Sequence, residues 1–151
     1  MKTRMYFLVN KYIMGIQAGI QPGHAACELL ADYWDEPRDN PKVKMIEQWL
    51  KKDKTFIVLD GGGQQRMYEF ADKIPSSIPF AYFHEEEDAL NGALTAIAFV
   101  LPDHLYDVKL DEDGEAPAGY FVEGDYCQWK DFTETERNFI TELKKFHLKR
   151  G

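Results

Sequence analysis

The chain has 151 residues, 44% of them apolar and 14% aromatic, with a net charge of −8. That length and composition suit one domain with a real core and exclude wholesale disorder. No apolar run approaches the ~18 residues that a membrane span needs, and the start MKTRMYFLVN lacks the long apolar stretch and cleavage site of a signal peptide. The charge is uneven: residues 1–60 carry nine Lys and Arg against eight Asp and Glu, residues 61–151 nine against eighteen. An acidic chain is a poor general nucleic-acid binder, because phosphate contacts need cations. The one basic run, PKVKMIEQWLKKDK at 41–54, reads as a solvated helix face, with an RNA patch as the alternative. Cys27 and Cys127 belong to no ligand spacing. They read as reduced thiols of a cytoplasmic protein, Cys27 in the core, with a disulfide between them left open.

In chain order, RMYFLVN (4–10) reads as a buried strand. A helix follows over about 20–34, with Pro22 in its first turn and Ala25, Ala26, Leu29, Leu30 and Tyr33 on one side. DEPRDNP (35–41) is turn chemistry, and 42–52 is a second helix with Val43, Ile46, Trp49 and Leu50 on its apolar face. KTFIVLD (54–60) is a strand, GGG (61–63) a breaker, 63–74 a third helix, FAYFH (80–84) a strand and ALTAIAFVLP (93–102) a long apolar strand. This alternation predicts an α/β, three-layer fold: a mixed sheet of about four strands covered by helices. Residues 103–132 read as an acidic excursion, a hairpin or a loose one, in which the turn 111–119 joins two strand-like pieces, HLYDVKL and YFVEGDY. Its aromatics Tyr106, Tyr120, Phe121, Tyr126 and Trp129 need cover. A closing helix starts at Thr133 with capping-box spacing to Glu136, and Phe139, Leu143 and Phe146 line one face.

The opening helix is the best candidate site. It follows the first strand directly, so its free N–H groups are expected to point over one end of the sheet, as a natural anion pocket. Gln21, His24 and Glu28 share one stripe there. His24 reads either as a packing histidine or as a site residue at the rim of a cleft. Gly61–Gly63 lack the lysine-plus-hydroxyl ending of a phosphate loop and read as a connector. HEEED (84–88) could draw a divalent metal with His24 and Glu28, but adjacent strand side chains point to opposite faces, so no metal is expected and no cofactor motif is present.

These residues carry a resemblance. GIQAGIQPGHAA, with the Gln-x-x-His-Ala spacing of Gln21 and His24, then IEQWL, KTFIVLD and FHEEEDALNGALTAIAFVLP, resembles the type II peptidyl-tRNA hydrolases in order and motif over about residues 4–102 and the last helix. The last stretch is most similar to a divergent, phage-type branch. The resemblance implies that Gln21, His24 and, on the last strand, Thr95 are site residues, that tRNA is a partner, and that the reaction is ester hydrolysis. It departs from the family where a lysine is expected early in the helix, since Gln17 stands there. It departs again where a DAGxT-like turn is replaced by HEEED, so Glu87 or Asp88 would have to supply the base. The alternative is a non-catalytic protein that keeps the fold and binds a partner, or a second copy of itself, through 103–132.

Overall fold

The computed structural model describes residues 1–116 and 119–150. Four strands form one mixed sheet: β1 (Thr3–Asn10), β2 (Phe56–Gly62), β3 (Phe80–His84) and β4 (Leu94–Pro102), in the order β2-β1-β4-β3. β1 runs parallel to β2 and antiparallel to β4, which is antiparallel to β3. The expected α/β layering is present, because β1 and β4 are buried on both faces. Met5, Phe7 and Val9 pack with Ala96, Ala98 and Val100 under α1 (Gln17–Asp32) and α2 (Pro41–Gln48). Tyr6 and Leu8 pack with Ile97, Phe99 and Leu101 under α3 (Gln64–Ala71) and α6 (Glu134–Leu143). Phe99 and Phe139 are completely buried there, and each such side chain stabilises the fold by roughly 1.5–3 kcal/mol.

α1 begins at Gln17, earlier than the apolar pattern suggests, because Ala18 and Gly19 donate to Gly15 and Ile16 carbonyls and carry the helix back. Pro22 is therefore inside the helix and buried, not in its first turn. Nor does β1 enter α1 directly. Residues 11–16 form a loop that buries Ile13 and exposes Tyr12, Met14 and Ile16. Cys27, expected in the core, is exposed, and both cysteines are free. α2 runs into a π-turn, Trp49–Asp53, which turns Leu50 out to solvent and buries Trp49. Gly61 and Gly62 belong to β2 rather than to a connector, and Gly63 caps α3.

The excursion differs from its expectation. HLYDVKL does not pair with YFVEGDY. Asp103–Tyr106 is a single helical turn, α5, and the hairpin lies wholly within β5 (Tyr120–Val122) and β6 (Asp125–Cys127). Glu123 and Gly124, both at positive φ, make the two-residue turn that sequence periodicity passed over. Tyr106 is buried, and Trp129 packs edge-on to Phe132 while its Nε1 donates to Glu115. Phe121 and Tyr126 are the exposed aromatics, and the side chain of Tyr120 lies outside the described residues, as do Pro117 and Ala118 of the turn. α6 opens with the predicted capping box of Thr133 and Glu136. After it the chain returns to the sheet. His147 and Lys149 hydrogen-bond with Asp60 and Val58, so residues 147–149 lie antiparallel along β2. Among the described residues no helix is long and apolar enough to cross a membrane.

Candidate functional site

The C-terminal ends of β1, β2 and β3 and the start of β4 meet at one edge of the sheet, and the register breaks there twice. Val9 pairs with Asp60 but Asn10 with Gly62, so Gly61 is skipped. A Cβ on Gly61 would sit 3.0 Å from Met67 and 3.1 Å from Leu8, which accounts for glycine at this position. Phe83 pairs with Ala96 but His84 with Leu94, so Thr95 is the extra residue of a β-bulge. Strict alternation would send Thr95 to the α3 face with Ile97. The bulge turns it to α1 instead, where its hydroxyl donates to Gln21 Oε1 at 2.7 Å.

Gln21 is 3% exposed and fully engaged. Its Nε2 donates to Gln17 Oε1 at 3.0 Å and to Glu85 Oε2 at 3.1 Å. Glu85 Oε1 accepts from the N–H of Glu86 at 3.1 Å, so both carboxylate oxygens are oriented. The result is one hydrogen-bonded run, Thr95–Gln21–Glu85, from the buried sheet to the surface. An amide in the middle suits it, since Gln accepts from the hydroxyl and donates to the carboxylate at once. Two further amides complete the surroundings: Asn10 Nδ2 donates to the Leu94 carbonyl, and Gln64 Oε1 accepts from the Leu94 N–H.

His24 is exposed, with its ring stacked on Phe83 at 4.6 Å between centroids and 12° between planes. It thus has a packing contact and a free rim position together. Glu87 and Asp88, of which one was expected as the base, are exposed and open the short helix α4 (Glu87–Leu90). The carboxylate on Gln21 is Glu85, which sequence reasoning missed. The available signal was its place as the first residue after β3, one step before the acids turn away into a helix. His84 points to the other face of the sheet, where its Nε2 shares a 2.5 Å hydrogen bond with the Tyr68 hydroxyl and its ring stacks on that of Tyr68. His24 and His84 are therefore separated by the sheet, and no three His, Cys, Asp or Glu side chains among the described residues gather as metal ligands. Burial, with Asp125 nearby, pushes the Cys127 thiol up, away from the thiolate form that a nucleophile uses. No protein-family model and no curated protein matches this chain.

Proposed function

We propose that the chain is a divergent peptidyl-tRNA hydrolase-like protein acting on the ester between a peptide and tRNA. The observation that supports this most is the Thr95–Gln21–Glu85 run. Gln21 and Thr95, which the resemblance names independently, are hydrogen-bonded partners, and Glu85 follows β3, where the resemblance calls for an aspartate. In this reading Glu85 takes a proton from a water molecule as it attacks the ester carbonyl carbon, and the ribose oxygen leaves and is protonated. Gln21 and Thr95 are positioning residues: they fix the Glu85 carboxylate and touch no substrate. His24, at the rim beside Phe83, supplies a ring N–H for the leaving oxygen or the developing oxyanion, in the place of the missing lysine.

Cleavage of an N-blocked aminoacyl-tRNA by the purified chain tests the reading. The expected result is turnover that falls about 100-fold or more in Glu85→Gln, with His24→Ala also impaired. Absence of cleavage above the protein-free blank overturns it. That outcome leaves the non-catalytic reading, which has its own support in the exposed Phe121 and Tyr126 at the hairpin. A partner or second copy would be held there, and the double substitution to alanine would release it.

A further inference from the structure

The chain is acidic overall, yet one groove at the site edge is basic. Lys11, Arg66, Lys149 and Arg150 line a cavity of ≈ 500 Å³, with His147 and, among the described residues, a single carboxylate, Asp60. These cations come from the loop after β1, from α3 and from the tail on β2, so no stretch of sequence displays the cluster. Two of them are held in place. Lys149 Nζ donates to the carbonyls of Asn10 at 3.2 Å and Lys11 at 3.4 Å. The Arg66 guanidinium lies 4.2 Å over the ring of Phe146. Its stem also lies against Gly62, where φ is +73° and a Cβ would meet Arg66 Cδ at 3.0 Å. Among the described residues none of the four cations is in an ion pair. Glu142, the acid that feels Arg66, is engaged by Lys145 and Lys73. Four like charges around one groove repel one another, and a multiply charged anion would relieve that repulsion.

We propose that this groove is a binding site for closely spaced phosphate groups. Cations spread around a groove, two of them fixed in position, suit two or more phosphates better than a single carboxylate. The phosphates belong either to a single-stranded RNA or to a free polyphosphate such as that of a nucleotide. The groove stands independently of the hydrolase reading. Where both hold, Asn10 links them: its carbonyl accepts from Lys149, and its side chain donates to Leu94, the neighbour of Thr95.

The test is binding by the full chain, read as anisotropy of a labelled single-stranded RNA of about 12 nucleotides, and calorimetric titration with tripolyphosphate. Arg66→Gln/Lys149→Gln is the main variant. Lys11→Gln/Arg150→Gln, which breaks no interior hydrogen bond, is the second. Lys51→Gln/Lys52→Gln, on the exposed π-turn, controls for net charge. RNA binding that weakens about tenfold in both groove variants, with a shallower salt dependence and an unchanged control, supports the site with a strand as its source. Tripolyphosphate binding lost in the same variants, without RNA binding, supports it with a free phosphate source. Binding of neither probe, or equal loss in the control, overturns it. The readout is affinity alone, so a chain that fails to cleave the ester can still pass or fail this test.

Discussion

The two ends of the central strand pair β1 and β4 solve one problem with different chemistry. At the end away from the site, loose backbone N–H groups are closed by carboxylates. Asp53 accepts from the N–H of Thr3 at 2.7 Å, and Asp103 accepts from the N–H groups of Lys2 and His104 at 3.0 Å each. At the site end, around the start of β4, the same task falls to neutral amides: Asn10 takes the Leu94 carbonyl and the Tyr12 N–H, and Gln64 the Leu94 N–H. A carboxylate only accepts, whereas an amide both donates and accepts. The bulged edge presents carbonyls as well as N–H groups, and Asn10 serves one of each, while the Asp60 carboxylate takes the Gly62 N–H and the Lys149 ammonium the carbonyls of Asn10 and Lys11.

The largest expected effect comes from breaking the amide end. Asn10→Ala leaves a carbonyl and an N–H unpartnered and should lower stability by about 2–4 kcal/mol in urea unfolding. An effect below 0.5 kcal/mol, roughly that of a neutral surface change, would mean that the site end is not held this way. Thr95→Val comes next. It keeps the shape of the side chain but strands the buried Gln21 Oε1, and should cost about 1–3 kcal/mol; Thr95→Ser, which restores the hydroxyl, should recover most of that. The smallest effect at neutral pH belongs to the carboxylate end and emerges in acid. Burial works against the Asp53 charge, but hydrogen bonds from the Thr3 hydroxyl and N–H and from Gln48 outweigh it and hold the pKa below the usual aspartate value. A carboxyl depressed in the folded state contributes stability above its unfolded pKa and loses it as pH falls through the folded one. Melting temperature should therefore drop more steeply below about pH 4 in the parent than in Asp53→Asn. Parallel curves would remove Asp53 from the comparison.

The layers of the fold were legible because β1, β3 and β4 are continuous apolar runs and the helices between them keep their period. The capping box at Thr133 was legible because its signal spans four residues. What could not be read depends on offsets of a single residue. The bulge that swings Thr95 toward α1 leaves no mark in ALTAIAFVLP, and without it Thr95 and Gln21 would lie on different faces. The same limit set Glu87 or Asp88 where Glu85 stands beside Gln21, since HEEED shows where the strand ends but not that a helix then carries Glu87 and Asp88 away. The hairpin was missed for a simpler reason: a Glu-Gly turn at positive φ is weaker in sequence than the DEDGEAPAG stretch beside it. The basic groove was invisible because its charges are separated by up to most of the chain.

The tail that follows α6 also guards an edge. An outer strand of a sheet offers unpaired backbone groups to any other extended chain, and such edges seed self-association. Along β2 that offer is withdrawn at residues 58–60, where His147 and Lys149 already hold the exposed ladder. The cover itself carries Lys149 and Arg150, so a second sheet approaching this side meets a paired backbone first and positive charge behind it.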